Sequence, residues 1–228
     1  MIKYFARGMN YLMGRTLQKK NVFIGASLDY LGRQRKIDKN YFDYIRLSTL
    51  ELVSDRIRRN KVEGHVAELG VYKGKFARYI NGYFPERTLY LFDTFEGFDD
   101  RDVKSEKQQA YSTGEQDFSD TSVEAVLRLM PFRDKCVVVK GFFPESAAKI
   151  PSDLPFSFVS LDADLFEPIY NGLQYFYPRL SRGGYIFIHD FNNAEYKGAG
   201  KAVEQFCAEQ GIGYVPIPDS GGSAIIAK

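Results

Sequence analysis

The sequence predicts an α/β fold, in which a doubly wound, mostly parallel sheet ends in an antiparallel hairpin strand. Between residues 65 and 210, short apolar runs alternate with segments of helical periodicity, which is typical of parallel strands joined by right-handed helical crossovers. Two further apolar runs near the C-terminus are separated only by a glycine-rich turn, which indicates a hairpin. A hydrophobic content of 44% is enough for a packed core and excludes an intrinsically disordered chain.

The predicted strands share an apolar body and a polar or glycine end, at 65–70, 88–93, 136–141, 156–162 and 183–190. Helices fit the segments between and after them, at 74–84, 120–130, 144–149, 166–180 and 198–210. The closing hairpin comprises YVPIPD and SAIIAK, joined by SGG. The polar segment 97–119 has no apolar periodicity, so we predict a mobile loop there.

An N-terminal helical extension is predicted over residues 1–60, ahead of the main domain at 61–228. A longer helix is expected over 39–60, capped by Asp38 or Asn40 and ending in a basic turn. Before it, apolar residues recur at helical spacing: Ile2, Phe5, Met9, Leu12 and Met13. We expect the extension to cap the substrate or to mediate a dimer.

The first 39 residues are strongly basic. They hold nine Lys or Arg against two Asp, a net charge of +7, which leaves −5 for the remainder because the whole chain carries +2. Such a segment suits a membrane surface, an acidic substrate or a partner subunit, with a plain solvated surface as the simplest explanation. No nucleic acid partner is expected.

Cysteine usage and hydropathy predict a cytoplasmic protein. Cys136 and Cys207 stand far apart without the spacing of a metal site, which favours reduced thiols. No stretch approaches the roughly 20 apolar residues that span a bilayer, so no transmembrane segment is expected. The first 20 residues are too interrupted by charge to form the apolar core of a signal peptide.

The stretch AELGVYKGK places Glu68, Gly70 and Gly74 where a predicted strand passes into a helix. Gly70 permits a tight turn and close backbone approach, and the following helix start offers free N–H groups to a ligand. A simple strand–helix turn explains the stretch about equally well. Its glycine spacing matches neither GxGxxG nor a Walker loop, which argues against a nicotinamide oxidoreductase.

Asp93 closes the next predicted strand, 25 residues after Glu68. A carboxylate at this position of a Rossmann-like sheet accepts hydrogen bonds from both hydroxyls of a ribose. A helix N-cap is the alternative interpretation. Together with Gly70, Asp93 favours nucleoside binding at the carboxyl ends of the strands.

The stretches FVSLDADLFEP and IFIHDFNN end two further strands in Asp162 and in His189–Asp190. Neighbouring parallel strands would bring Asp162 and Asp190 together, where two carboxylates repel unless a proton or cation lies between them. A divalent ion with oxygen ligands satisfies such a pair. A turn with a helix N-cap is the simpler reading of Asp162, and His189 is a ligand, a base or a structural residue. We favour a site.

These stretches, with LYLFDTFEGF, VVVKGFFPES and YPRLSRGGYIFIHDF, resemble the macrocin O-methyltransferase-like family from about Val62 to the C-terminus. The DTFEG and LDADLFEP blocks are its more specific parts. The resemblance implies an O-methyltransferase that depends on S-adenosylmethionine and on Mg. Its implied acceptor is a hydroxyl of a sugar or glycosylated small molecule, as in natural products or precursors of surface polysaccharides.

Carried over by position, the resemblance implies that Glu68 and Gly70 contact the methionine part of S-adenosylmethionine. Asp93, with Thr94 beside it, then binds the ribose, and the adenine lies near a last group of residues: Ser122, Gly141 and Phe142. Asp162 is implied to contact the cofactor as well.

The resemblance also implies a metal site formed by Asp162 and the His189–Asp190 pair, with Asp162 and His189 as catalytic residues. The family usually has two acidic residues where this chain has His189–Asp190. Imidazole suits transition metals better than Mg, so both Mg and Mn are retained as candidates. A cofactor-binding protein of the same fold without transfer activity is the alternative. We expect a sugar-containing substrate and a homodimer or higher homo-oligomer.

Overall fold

The computed structural model describes residues 43–228 and eight helical residues near the N-terminus: Tyr4, Phe5, Gly8, Met9, Tyr11, Leu12, Met13 and Thr16. Four of the apolar positions predicted to share a helix are among these eight, and Ile2 lies outside the described residues. The chain divides into two compact units, Met1–Phe42 and Asp43–Lys228. A cap or dimer role for the N-terminal extension stays a prediction.

The first helix of the main unit, α1, spans Tyr44–Arg59. It begins at Tyr44 because the Asp43 carboxylate accepts a hydrogen bond from the Arg46 backbone N–H at 3.0 Å. The cap is therefore Asp43 rather than Asp38 or Asn40. The predicted basic last turn is confirmed. Helix α1 belongs to the compact main unit, whereas the sequence interpretation placed this segment in the extension.

Seven strands form one sheet: β1 (His65–Leu69), β2 (Leu89–Asp93), β3 (Cys136–Lys140), β4 (Phe156–Leu161), β5 (Leu180–Ile188), β6 (Val215–Ile217) and β7 (Ser223–Ala227). Their order is β3-β2-β1-β4-β5-β7-β6. Strands β1 to β5 are parallel, and β7 pairs antiparallel with both β5 and β6. The predicted sheet and its hairpin are confirmed. The strand order reverses between β1 and β4, where ligands bind in open α/β sheets.

The remaining α-helices are α2 (Lys75–Tyr83), α3 (Asp100–Gln108), α4 (Val123–Leu129), α5 (Phe166–Arg179) and α6 (Lys197–Gln210). Except for α3, they confirm the predicted helices within a few residues. The segment predicted as a helix at 144–149 is a short 3-10 helix, Glu145–Lys149, and another covers Arg133–Lys135. None of the helices in the described part of the chain is long and apolar enough to cross a bilayer.

Helix α3 corrects the prediction of a mobile loop over 97–119. It begins after Asp99, whose carboxylate accepts a hydrogen bond from the Arg101 backbone N–H at 3.0 Å. The two buried side chains of α3 are the carboxyls of Asp102 and Glu106. Because this helix buries polar groups, its sequence lacks the apolar periodicity by which the other helices were predicted.

Asp102 gives the stability of the fold a specific pH dependence. Burial, together with the nearby Asp99 and Glu167 carboxylates, raises the pKa of Asp102 from 3.8 to about 7. Between these values the folded protein holds a proton that the unfolded chain has lost, so the stability contribution of Asp102 declines as the pH rises. Asp102→Asn should therefore raise the free energy of unfolding by about 1–3 kcal/mol at pH 8, and by less at pH 5.

Urea unfolding at both pH values measures this effect. Asp100→Asn, on the exposed side of the same helical turn, is the matched control and should show no such pH-dependent gain. If both variants showed the same pH dependence of the free energy of unfolding, the raised pKa of Asp102 would be contradicted.

A cluster of aromatic side chains packs against the middle of the sheet. Phe176 of α5 makes edge-to-face contacts with Phe92 and Phe156, with ring centroids 5.5 and 5.1 Å apart, and stacks on Phe143 at 5.9 Å. Phe92, Phe156 and Phe176 are completely buried. This packing joins β2, β4 and α5 and thereby fixes the strand ends that carry the candidate site residues.

Candidate functional site

The ends of β1, β4 and β5 are aligned by backbone hydrogen bonds. The Asp162 N–H donates to the Leu69 carbonyl at 2.8 Å, and the His189 N–H donates to the Leu161 carbonyl at 2.9 Å. The first residue after each strand therefore stands next to its neighbour: Gly70, Asp162 and His189. This register places polar groups from two distant stretches of sequence at one edge of the sheet.

The acidic pair predicted from the strand ends is brought together around His189. Its Nδ1 lies 3.1 Å from Asp162 Oδ1 and 2.7 Å from Asp190 Oδ2. Asp190 is buried, and its Oδ1 accepts a hydrogen bond from Asn193 Nδ2 at 2.7 Å. Burial and Arg46 lower the pKa of His189, but the two carboxylates outweigh them and raise it to about 10. The resulting positive charge lies between the carboxylates.

Asp164 is a site residue that the sequence analysis quoted but did not assign. It adopts a left-handed backbone conformation, with φ of 59°, in the turn between β4 and α5. Its carboxyl lies close enough to that of Asp190 for the two groups to interact. Burial and the charges of Asp162 and Asp190 raise the pKa of Asp164 well above its usual value. Its position two residues after Asp162 was the signal available in the sequence.

Arg46 of α1 is a second residue that the sequence analysis missed. Its Nη2 lies 3.0 Å from Asp162 Oδ2 and 3.3 Å from Ser160 Oγ, and its guanidinium stacks over the Phe76 ring at 3.8 Å. The side chain is only 5% exposed. Burial opposes ionisation of Asp162, but Arg46 and His189 outweigh it and hold the pKa of Asp162 well below its usual value. Asp162 is therefore a carboxylate.

The side chains of Asp162, His189 and Asp190 fit a divalent ion. Each offers one ligand atom, and these atoms lie within 4.8 Å of one another. Arg46 contacts only Oδ2 of Asp162, which leaves Oδ1 directed at His189. Two carboxylates and one imidazole are donors that suit Mn²⁺ or another transition metal, and they also allow Mg²⁺.

A second group, Asp43, His189 and Asp219, meets the same distance criterion but is explained by loop structure. The Asp43 carboxylate accepts hydrogen bonds from the backbone N–H groups of Arg46 and Ser220. The Asp219 carboxylate accepts from the N–H and hydroxyl of Ser223, both at 2.5 Å. All four of these oxygens accept from residues outside the group, whereas Asp162 Oδ1 and Asp190 Oδ2 face His189, a member of their own group. The group at Asp162 is therefore the candidate metal site.

The turn after β1 is shaped to receive a ligand. Gly70 has a φ of +83°, and a Cβ atom there would lie 2.0 Å from the Asp162 carbonyl oxygen, so only glycine fits. Glu68 is 1% exposed, and its Oε2 has no hydrogen-bond partner among the described residues. Burial, with the Asp162 charge nearby, raises the pKa of Glu68 well above its usual value. A buried orphan oxygen of this kind fits the donor group of a ligand.

Asp93 organises the two turns around it. Its Oδ2 accepts hydrogen bonds from the N–H groups of Val71 and Tyr72 at 2.6 and 2.8 Å, and its Oδ1 accepts from Phe95 N–H at 2.6 Å. Thr94 Oγ1 closes the following turn by donating to the Gly97 carbonyl at 2.6 Å. Ribose binding by Asp93 stays a prediction, as does a cofactor role for Thr94.

Asp93→Ala should weaken binding of the cofactor by about 10–100-fold, the scale of losing charge-assisted hydrogen bonds. It should also lower stability, because three backbone N–H groups lose their acceptor. Calorimetry with S-adenosylhomocysteine measures the affinity, and urea unfolding measures the stability. Asp93→Asn, which keeps one acceptor oxygen, should lie between alanine and the natural residue in both measurements. Unchanged affinity in a folded alanine variant would remove Asp93 from the site.

The residues predicted near the adenine lie in turns on the β3 side of the sheet. Ser122 caps α4 by accepting a hydrogen bond from Ala125 N–H at 3.2 Å. Gly141 follows β3 with a φ of +134°, and the Phe142 ring lies 3.5 Å from the Arg101 guanidinium carbon. Asp120 ties the start of α4 to the turn after β1 by accepting from Tyr72 and Lys73. Adenine binding stays a prediction.

A cleft of about 540 Å³ opens between residues 192–194 and 216–222. Its wall adjoins the His189 cluster, because a Cβ atom on Gly221 would lie 2.6 Å from His189 Cε1. The lining combines amide, carboxylate and hydroxyl side chains with apolar ones: Asn192, Asn193, Asp219 and Ser220 with Ala194, Pro216, Ile217 and Pro218. The cleft therefore offers both polar and apolar contacts beside the candidate metal site.

The chain is similar in sequence to two curated relatives. It is 26% identical over 159 residues to mycinamicin III 3''-O-methyltransferase of Micromonospora griseorubida and 24% identical over 161 residues to demethyldecarbamoylnovobiocin O-methyltransferase of Streptomyces niveus. Both matches cover 64% of this chain, and they span 62% and 60% of the relatives' own length. About two fifths of each relative is thus unmatched.

Solved structures share the fold. The O-methyltransferase NovP superposes with a TM-score of 0.67 and 22% identity, covering 80% of this chain and 79% of its own. The calicheamicin methyltransferase CalS11 has a TM-score of 0.63 and 20% identity, covering 80% and 78%. A family model described as macrocin-O-methyltransferase (TylF) matches residues 36–218, a range that contains every site residue predicted from the sequence. The chain belongs to the macrocin O-methyltransferase family.

Proposed function

We propose that this protein transfers a methyl group from S-adenosylmethionine to a hydroxyl of a sugar or glycosylated small molecule, assisted by a divalent ion. One observation carries the proposal: the convergence of Asp162, His189 and Asp190 beside the glycine turn after β1. A metal site next to a turn that can bind a cofactor suits a reaction that transfers a group from the cofactor to a hydroxyl. Membership of the family supports the same reaction class.

S-adenosylmethionine, when bound, supplies the methyl group on a positively charged sulfur. Glu68 has an orphan oxygen and lies close enough to Asp162 for their charges to interact, so these two carboxyls suit the ammonium of the methionine part. Asp93 has acceptor capacity left for one ribose hydroxyl, on Oδ1, since each carboxylate oxygen offers two lone pairs and Oδ2 already accepts two hydrogen bonds. Gly70 lets this turn pack directly against the Asp162 backbone, which any side chain there would meet, and so brings Glu68 and Asp162 to the same place.

Asp162, His189 and Asp190 would hold the divalent ion. Such an ion, when bound, lowers the pKa of a substrate hydroxyl and orients its oxygen. Arg46 keeps Asp162 ionised and fixes one of its oxygens, so that the other is available as a ligand. His189 is assigned as a ligand through Nδ1, which contacts both carboxylates of the group and would give up its proton when the ion binds.

In its ionised form, Asp164 is assigned as the acceptor of the hydroxyl proton, since its raised pKa makes that carboxylate a stronger base than an ordinary one. It contacts Asp190 without belonging to the ligand group, so its carboxylate is adjacent to any hydroxyl held there. The turn after β4 holds it in this place, since its left-handed backbone directs the chain into α5. The proton would pass from the substrate oxygen to a carboxylate oxygen of Asp164 as the methyl group is transferred.

The cleft between 192–194 and 216–222 is the proposed binding place of the acceptor. A sugar ring presents hydroxyls along its edge and C–H groups on its faces. Amide and hydroxyl side chains suit the hydroxyls of the ring, and Pro216, Ile217 and Pro218 suit its C–H faces. The names of the two sequence relatives, both O-methyltransferases, agree with an acceptor of this class.

Incubation with S-adenosylmethionine, Mn²⁺ or Mg²⁺, and a panel of methyl glycosides and nucleotide-linked deoxysugars tests the proposal. Mass spectrometry should detect an O-methylated sugar and an equal amount of S-adenosylhomocysteine. The second candidate function, cofactor binding without transfer, is favoured by one observation, the histidine at position 189. Tight binding of S-adenosylhomocysteine with no methylation of any acceptor would decide for this second candidate.

A further inference from the structure

Helix α3 carries a buried carboxylate, Glu106, that contacts two other helices. Glu106 is 1% exposed. Its Oε2 accepts a hydrogen bond from Phe166 N–H at 2.9 Å, and its Oε1 accepts from Ser112 Oγ at 3.2 Å. The Gly198 backbone lies against the same carboxylate, since a Cβ atom there would lie 2.4 Å from Oε1 and 2.6 Å from Oε2. One side chain thus contacts the first turns of both α5 and α6.

Neither of these helices has a side-chain cap of its own. The N-cap positions are Leu165 for α5 and Tyr196 for α6, and neither contributes a side-chain hydrogen bond to the helix start. Free N–H groups and the positive end of the helix dipole favour a carboxylate at these places. Glu106 supplies that carboxylate from a third helix: it accepts a hydrogen bond from the start of α5 and lies against the first turn of α6.

The backbone of α6 packs closely against Glu106 and the start of α5. A Cβ atom on Gly198 would lie 2.4 Å from Glu106 Oε1 and 2.7 Å from Phe166 N. At the other end of α3, Arg101 contacts the Phe142 ring and forms an ion pair with Glu145 at 2.9 Å. Helix α3 therefore joins the β3 side of the sheet to the starts of α5 and α6.

We propose that Glu106 is a positioning residue for methyl transfer. Helix α5 starts directly after the turn that holds Asp164, and α6 follows the turn that begins with Asp190. Clamping the two helix starts to one carboxylate fixes these turns relative to each other, and with them the Asp164–Asp190 contact. The role in transfer rests on the proposed function, whereas the clamp itself is a property of the fold.

Two substitutions disturb the clamp by independent routes. Glu106→Gln keeps the shape of the side chain, but its NH₂ group replaces one of the two acceptor oxygens. Gly198→Ala keeps the carboxylate but places a methyl group against it. Both variants should lower kcat by about 10–100-fold, with the affinity for S-adenosylhomocysteine unchanged, because misplaced groups cost rate rather than cofactor binding. Glu115→Gln, exposed in the same segment, is the control and should keep full activity.

Hydrogen exchange measures the clamp without any substrate. In both variants the amides of 164–166 and 190–198 should exchange about 5–10-fold faster, the scale expected for the loss of a helix cap. Normal exchange in these segments, or unchanged kcat in a folded variant, would overturn the proposal. If the natural protein methylates no acceptor, the proposed function fails, while exchange at the same amides still decides whether Glu106 clamps the two helices.

Discussion

Asp164→Asn should lower kcat for methyl transfer by about 10²–10⁴-fold, the range lost when a general base is removed. Asparagine has nearly the same shape and tolerates the left-handed backbone at this position, so the turn after β4 should keep its conformation. Binding of S-adenosylhomocysteine and of the metal should be unchanged, because Asp164 belongs to neither set of ligands. Single-turnover rates measured at saturating cofactor isolate the chemical step.

The matched control for this variant is Asp153→Asn, which removes an exposed carboxylate from the loop before β4. Its kcat should equal that of the natural protein. If Asp164→Asn kept full activity with its fold intact, the proton would leave by another route, and Asp164 would be a structural residue of the turn.

Removing the divalent ion with a chelator should abolish transfer, and adding Mn²⁺ should restore it more fully than adding Mg²⁺. The reason is His189, since an imidazole ligand favours transition metals over Mg²⁺. Asp190→Asn should cost activity with little loss of stability, because asparagine accepts the left-handed backbone there and keeps an acceptor oxygen for Asn193. A purely structural Asp190 predicts the opposite, full activity with a stability loss of about 1 kcal/mol.

The variant His189→Asp sharpens this experiment. It supplies the acidic pair expected for the family, and calorimetry with metal alone should then show a preference shifted from Mn²⁺ towards Mg²⁺. Retention of full activity by the natural protein in the presence of chelator would rule out metal assistance. In that case His189 would remain a cation between Asp162 and Asp190 and would not serve as a metal ligand.

The centre of the sheet could be predicted because β1, β2 and β4 are buried on both faces and therefore form continuous apolar runs. Helix α3 could not, because its buried side chains are those of Asp102 and Glu106 rather than apolar ones. The Phe166 N–H that Glu106 accepts from is 60 residues away. Sequence periodicity detects apolar burial and misses burial of this polar kind.

The residues of the candidate site also divide into those that the sequence could predict and those that it could not. Asp162, His189 and Asp190 could be placed together because parallel strands end at one edge of the sheet, and the register confirmed that placement. Arg46 could not be found, since it contacts Asp162 from a helix 116 residues earlier that seemed part of an extension. Asp164 was within the quoted motif, but only the backbone conformation of its turn directs it towards Asp190.

The hairpin loop between β6 and β7 is attached to the rest of the molecule mainly through its backbone. The Ser220 N–H donates to Asp43 at 2.9 Å, and the Gly222 carbonyl accepts from the Asn192 N–H at 3.0 Å. Neither contact depends on the side chains of Pro216, Ile217, Pro218 or Ser220, which line the cleft. These four residues can therefore be substituted together to change which acceptor the protein methylates, while the loop keeps its path beside His189.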